Sequence, residues 1–389
     1  MSDWITTRLG DICEVVRGGS PRPIMDFVTN SPDGVNWLKI GDVSEHDKYF
    51  THSAERIKKT GIVNSREVKK GDLILSNSMS FGRVFITLID GFIHDGWLRL
   101  RNNEDVLDRE YLYYFLSSDL AQNQFKAVAT GSVVNNLKTD TVKAVKIDLP
   151  PLAMQRSIAA ILSPLDDKIA NNTMINHHLE QMAQAIFKSW FMEFEPTKPF
   201  TSIVQVLGGG TPQTNNAEYW NGTIPFFTPK DAIATYVLTT EKSLTESGLN
   251  NCNSKLYPVN TVFVTARGTV GKLAMAGTPM AMNQSCYALV GNVGYGQYFV
   301  YHLALETVES LKHKASGAVF DAIVTRDFES EIVPAPSVES VWAFEEKVVP
   351  IYKVILNNLK ESARLANLRD AFLPRLISGE LSVADIDAK

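Results

Sequence analysis

Cysteine is scarce in this chain, and the little there is lies dispersed. Cys13, Cys252 and Cys286 form no CxxC pair and neighbour no histidine cluster, so neither a zinc site nor a disulfide framework is expected. They read as small buried hydrophobes in a reducing cytoplasm. Long apolar runs are missing too. No stretch approaches the roughly 18 residues of a membrane-spanning helix, and "MSDWITTRLGD" lacks a charged-then-apolar leader pattern. The expected location is therefore the cytoplasm. Excess positive charge is also absent: the net charge is −5 and the pI is near 5.9. That balance argues mildly against a dedicated nucleic-acid binder, which usually carries a basic surplus. What remains is an ordinary globular composition, 44% apolar and 21% charged. The length suffices for two or three domains.

Catalytic machinery is a further absence. "GTVGK" at 268–272 is too short between its glycines for a phosphate loop, and Leu273 stands where Ser or Thr would bind magnesium. "GNVGYG" has no glycine at the third position of the dinucleotide-fold motif and lacks its strand–helix context, and "DLPPL" has the prolines of an amino-methyltransferase motif without its aromatic residue. Asp33 with "EVK" at 67–69 could mimic a nuclease carboxylate cluster, but the second copy described next has no equivalent. His177 and His178 are adjacent, so they cannot share one metal as an i, i+4 pair would. No catalytic residue and no metal site are expected.

What is present is a duplication. "GGSPRP" at 18–23 returns as "GGTPQT" at 209–214, and "KKGDLILSNSMSFGRVFIT" at 69–87 returns as "YPVNTVFVTARGTVGKLAM" at 257–275. "ATGSVVNNL" at 129–137 returns as "ASGAVFDAI" at 315–323. Steady spacings of 186 to 191 residues mark a repeated unit with small loop deletions.

A helical seam repeats as well. Alternating steps of four and three pick out Ile158, Leu162, Leu165, Ile169, Asn172, Asn176, Leu179, Ala183, Ile186 and Trp190, the spacing that keeps one stripe on a partner helix. A second stripe lies 186 residues on, from Phe344 through Ile355, Asn358, Ser362 and Arg369 to Leu376. Polar residues recur at the same two steps: Asn172 with Asn358, and Asn176 with Ser362. Polar layers of this kind fix register at a cost in stability. The two helices are therefore expected to pair with each other, holding the two units at opposite ends of a spacer if they run antiparallel; two separate amphipathic helices, each packed on its own unit, are the alternative. "SPLDD" at 163–167 reads as a helix start or kink, with Ser163 as cap and Pro164 at the first position.

The expected fold class is α+β: two globular α/β units, an internal duplication, and a pair of long coiled-coil helices. The boundaries drawn are 1–150 and 196–336 for the units, 151–195 and 337–380 for the helical segments, and 381–389 for a loose tail. "EPTKPF" at 195–200 reads as a proline-bounded linker, and "DREYLYYFLSSDLAQNQF" at 108–125 as a helical segment.

The shared loops carry the residue types that read DNA. Ser76, Asn77, Ser78, Ser80 and Arg83 in the first copy face Thr265, Arg267, Thr269 and Lys272 in the second. Asn135, Asn136 and Lys138 face Asp321; Arg22 and Lys39 add cations to the first copy, and Lys230 to the second. Asn suits adenine, Arg and Lys suit guanine or phosphate, and Ser and Thr serve either. Any one of these is also an ordinary hydrophilic turn residue; their coincidence in two copies carries the reading. Neither unit is net positive, with 19 Lys plus Arg against 20 acids in 1–150 and 8 against 10 in 201–336.

Nearly the whole chain resembles the specificity subunits of type I restriction–modification systems. The segment "LPPLAMQRSIAAILSPLDDKIANNTMINHHLEQMAQAIFKSWF" is similar to that family's central region, and "GGTP", "TARGTVGKL" and "LRDAFLPRLISGEL" match its other patterns. Met154 stands where the family usually has glutamate. The resemblance implies a non-catalytic subunit in which each unit reads one half of a bipartite double-stranded DNA site. It implies that the helices set the gap between halves and dock two adenine-N6 methyltransferase subunits, which bind AdoMet, and that restriction/translocase subunits complete the assembly. A stand-alone DNA-binding regulator and a coiled-coil scaffold are the competing readings.

Overall fold

The computed structural model describes residues 4–44, 47–78, 81–129, 136–314 and 322–383. Its contacts divide the chain into two compact units: residues 1–171 with 362–389, and residues 172–361. Both boundaries fall inside long helices, unlike the domain limits drawn from sequence. Five helices matter here: α1 (Arg109–Ser117), α2 (Asp119–Ala129), α3 (Leu152–Phe191), α4 (Gln297–Lys314) and α5 (Val338–Ile377).

The first unit is built on an apolar five-stranded sheet. Its strands are β1 (Cys13–Arg17), β2 (Tyr49–Phe50), β3 (Leu73–Ser76), β4 (Val84–Thr87) and β5 (Trp97–Asn102), in the order β1-β5-β3-β4-β2. Period-2 alternation sends Leu73, Leu75, Leu98 and Leu100 to one face, where they pack with Tyr111, Phe115, Ile158, Leu162, Leu376 and Ile377. Ile74, Phe85 and Trp97 take the other face, against Leu38, Phe50, Val68 and Ile93. A sheet covered on both faces explains why "LILS" is an unbroken buried run. The expected single helix at 108–125 is two, because Ser118 adopts an extended conformation that ends α1. Asp108 caps α1 by accepting the Tyr111 amide at 3.0 Å.

The second unit repeats this sheet. Strands β6 (Val204–Gly208), β7 (Tyr236–Val237), β8 (Val262–Thr265), β9 (Leu273–Ala276) and β10 (Cys286–Gly291) follow the order β6-β10-β8-β9-β7. The pairings correspond one for one: three antiparallel ladders and one parallel edge. The second sheets differ, with five short strands in the first unit and three in the second. The segment read as a linker forms a strand, Pro196–Pro199, antiparallel to Ile332–Pro334. Its counterpart is Ile5–Arg8 against Lys146–Leu149. The short two-stranded ladder leaves the prolines at its ends, where the missing N–H costs least. Cys13 and Cys286 are buried, and burial pushes each thiol up to about 12.

Within each unit, α3 and α5 run antiparallel. In the first, Ile158 and Leu162 share a core with Leu376 and Ile377, and Asp166 bonds Arg369. In the second, Asn176 meets Ile355 and Asn358, and Phe187 packs on Phe344. Two expectations need correction. Ser163 and Pro164 do not start the helix; α3 begins at Leu152 and passes through Pro164. The proline removes one i→i−4 bond, and buried Leu162 and Asp166 on either side hold the helix continuous. The buried stripe also runs through Asp166, Phe187 and Phe191 rather than Leu165, Ile186 and Trp190, following the 3.6-residue period of a straight helix rather than a strict 3.5. No helix among the described residues is long and apolar enough to cross a membrane.

Candidate nucleic-acid interface

The paired glycines of the repeated motif are required by close backbone approach. A Cβ on Gly18 would lie 2.1 Å from the His94 carbonyl oxygen, and one on Gly209 would lie 2.1 Å from that of Asn283. Gly19 and Gly210 are also too close to backbone for a Cβ, at 2.4 Å from Asn64 and 2.6 Å from Asn253. The motif thereby seats each GG loop on the turn that precedes the last core strand, 94–96 or 283–285.

Further loops join by equivalent bonds. The Asn77 amide donates to the Gly96 carbonyl at 2.9 Å, and the Ala266 amide to that of Ser285 at 2.8 Å. The Leu137 amide donates to Asn77, and the Ile323 amide to Ala266, each at 2.9 Å. Each unit therefore gathers its GG loop, its β-hairpin loop, its pre-strand turn and the segment before a short helix into one cluster. This is the same assembly made twice from different side chains.

The candidates occupy this cluster in two ways. Ser76 and Thr265 are fully buried and close the hairpin loop rather than facing solvent. The Ser76 hydroxyl accepts the Arg83 amide at 3.0 Å, and that of Thr265 accepts the Lys272 amide at 2.9 Å. Gly82 and Gly271, at φ +88° and +78°, complete the two turns. Asn77 is 2% exposed and spends its side-chain amide on the Asp95 carbonyl. Burial thus overturns the expectation that these three face DNA: a loop that presents polar tips needs polar groups inside to satisfy its own backbone.

Arg22, Asn136, Lys138, Lys230, Arg267, Thr269 and Lys272 are exposed, and Ser78 and Arg83 half-buried. Lys39 pairs with Glu55 at 2.5 Å and Lys230 with Glu241 at 3.3 Å. Thr269 donates to the Pro229 carbonyl, which brings Lys230 beside the second hairpin loop. Lys39, Arg22, Trp37 and Glu55 line a groove of about 900 Å³ in the first unit together with His94 and Asp95. Ser80, Asn135 and Asp321 lie outside the described residues.

Sequence reasoning missed the pre-strand turns, His94–Asp95–Gly96 and Asn283–Gln284–Ser285. Their signal was the 189-residue spacing, which aligns "IHDGW" with "MNQSC" even though only structural positions, not residues, are shared. It also missed Gln155, fully buried beside exposed Met154. The Gln155 amide donates to Val106 and Pro150 and accepts from Asp108, tying the start of α3 to the cap of α1. Burial holds His94 below the usual imidazole range. The hydrogen bond from Ser20 holds the Asp95 carboxyl below the usual carboxylate range.

The polar helix layers bond across the pair. Asn358 donates to the Asn176 side-chain oxygen at 2.8 Å, Asn176 to the Ile355 carbonyl at 3.3 Å, and Asn172 to Glu361 at 2.8 Å. Ser362 lies half-buried one turn further along α5.

Comparison with known proteins agrees with this architecture. The type I restriction enzyme HindI specificity subunit of Haemophilus influenzae is 25% identical, over 98% of this chain and 100% of its own. The MjaIX specificity subunit of Methanocaldococcus jannaschii is also 25% identical, over 99% and 95%. The crystal structure of a type I restriction-modification S subunit from M. genitalium shares the fold, with a TM-score of 0.58 at 14% identity over 96% of each chain. The family model described as the type I restriction modification DNA specificity domain matches twice, at residues 1–181 and 194–361, and the chain belongs to that family.

Proposed function

We propose that this chain is the non-catalytic DNA-recognition subunit of a type I restriction–modification complex, with each unit reading one half of an asymmetric bipartite site. The observation that carries the reading is the duplicated loop cluster: one scaffold, made twice, presenting different side chains. A reader of two unlike half-sites needs that arrangement. The paired helices set the number of base pairs between the halves and dock two methyltransferase subunits. Those subunits bind AdoMet and methylate adenine, while restriction/translocase subunits act on unmodified DNA in the cytoplasm. Arg22, Lys138, Arg267 and Lys272 supply contacts from the loops; with neither unit net positive, their placement rather than bulk charge brings them to phosphate.

The test is co-expression with the methyltransferase subunit, followed by single-molecule methylation sequencing of host DNA. N6-methyladenine at a split, asymmetric motif is expected, and it should disappear when residues 201–336 are deleted. An assembled, AdoMet-binding complex that methylates no split motif would overturn the assignment.

A further inference from the structure

Positions in the duplicated cluster sort by whether the two copies keep the same chemistry. Ser76 and Thr265 are both buried hydroxyls with the same bonds, so that position is structural. Arg83 and Lys272 both end the hairpin loop as cations, as phosphate contact in either half-site requires. A residue that reads bases should do the opposite: occupy a common backbone position and differ in hydrogen-bonding character.

One position meets that requirement with its side chain already held in place. Asp95 and Gln284 stand second in the equivalent pre-strand turns, 189 residues apart. The turn backbones are pinned by the same ladder, Asn77 to Gly96 and Ala266 to Ser285. A hydroxyl of the GG motif orients each side chain: Ser20 donates to Asp95 Oδ1 at 2.7 Å, and Thr211 donates to Gln284 Oε1. Ser20 and Thr211 are themselves equivalent residues of "GGSPRP" and "GGTPQT". Asp95 keeps its second oxygen, 3.6 Å from Arg22 and 43% of its side chain exposed. Gln284 is exposed and keeps its amino group.

We infer that Asp95 and Gln284 are the equivalent base-reading residues of the two units, Asp95 accepting from a cytosine N4 amino group and Gln284 pairing with adenine N6 and N7. This rests on the bipartite-reading function proposed above and assigns part of its specificity. A carboxylate offers acceptors only, which suits the cytosine edge in the major groove; a primary amide offers a donor and an acceptor together, which suits adenine. Hydroxyl bonds that hold each rotamer before DNA arrives reduce the ordering cost on binding. Ser20 and Thr211 are accordingly positioning residues.

The experiment uses the full chain co-expressed with its methyltransferase subunit, and sequences methylated host DNA for the wild type, Asp95→Asn and Gln284→Glu. Asp95→Asn should relax or change one base pair in one half of the motif and leave the other half intact. Gln284→Glu should do the same in the opposite half. Methylation of the original motif should fall about 5- to 150-fold for Gln284→Glu, the discrimination carried by one bidentate base contact, and by a smaller factor for Asp95→Asn, whose contact is a single hydrogen bond. A split motif unchanged in both variants overturns the inference and leaves the proposed function standing; no split motif even in the wild type overturns that function and the inference with it. If Asp95→Asn stops methylation altogether, Ser20→Ala decides. Weakened selection at a single base pair supports the inference, and weakening spread over all positions overturns it.

Discussion

Where α3 carries Asp166 in the first unit, α5 carries Tyr352 in the second, 186 residues on. Around Asp166 the junction between sheet, helices and seam is charged. Asp166 accepts from Tyr114 at 2.6 Å and from Arg369 at 2.6 Å, while buried Lys48 contacts Glu110, Tyr114 and Ser163. Around Tyr352 the junction is neutral and aromatic. Tyr352 stacks on Tyr298 at 4.4 Å and donates to or accepts from His302 Nε2 at 2.8 Å, and Gln184 meets the other ring nitrogen. The second unit carries Ala183 and Thr235 where the first has Arg369 and Lys48. At this junction the first unit pairs its buried charges, and the second sets neutral partners around Tyr352. Burial holds His302 down at about 3 and pushes Glu345 up to about 7, so both favour the uncharged form over most of the acidic range. The same scaffold thus tolerates two solutions to one problem, the cost of an unpaired charge away from water.

Arg369→Ala should break the comparison most severely. It strips Asp166, whose side chain is 4% exposed, of its ion-pair partner, and losing one partner of a buried pair costs about 3–5 kcal/mol. Hydrogen exchange should accelerate in 152–171 and 362–377 and hold steady in 172–191 and 338–361. Equal acceleration in both would show that the junctions are not independent.

Next in size is a loss of stability with rising pH in the second unit. Glu345 accepts the Phe299 amide at 2.8 Å at the start of α4, and Ala159 is its counterpart in the first unit. A carboxyl raised from its ordinary value of 4.5 to about 7 contributes stability that is complete below the unfolded value and lost as pH rises through the folded one. Glu345→Gln keeps an acceptor and removes the titration. Variant and wild type should match near the lower limit, and the variant should be the more stable at alkaline pH by up to about 3 kcal/mol. His302 acts in the opposite direction, its contribution falling away as pH drops from 6.5 toward about 3. Denaturant titrations across pH, followed by exchange in α4, measure both slopes; an equal loss between pH 4.5 and about 7 in the first unit would refute the contrast.

The smallest effect concerns the asparagine layer. Asn358→Leu removes the donor to Asn176 and leaves a buried amide oxygen unsatisfied, which costs about 1–3 kcal/mol. Combining it with Asn176→Leu should restore most of that loss, since an apolar pair suits the seam, while relaxing helix register. A double-mutant cycle by denaturant unfolding reads the coupling, and additive losses would deny the contact a role in register.

Much of this was legible in the chain before any coordinates, and particular residues show why. The "GG[S/T]P" repeat survives because backbone contact at Gly18 and Gly209 admits no Cβ, so the constraint writes itself into residue identity. The asparagine layers stand out because a polar residue interrupts an apolar period. Ser76 and Thr265 misled because a buried hydroxyl that closes a loop has the same composition as an exposed one that meets a ligand. His94–Asp95 and Asn283–Gln284 stayed hidden because their common feature is a backbone position.

By itself, then, the sequence determined the duplication, the α+β class and the pairing of the long helices, since periodicity and repetition are local properties of the chain. Tertiary structure alone decided which loops meet and which polar side chains turn inward. It also decided that Asp166 finds Arg369 across 203 residues while Tyr352 finds a histidine. Such contacts are set by where distant segments come together, and burial, not residue type, determines whether a charge there must be paired or avoided.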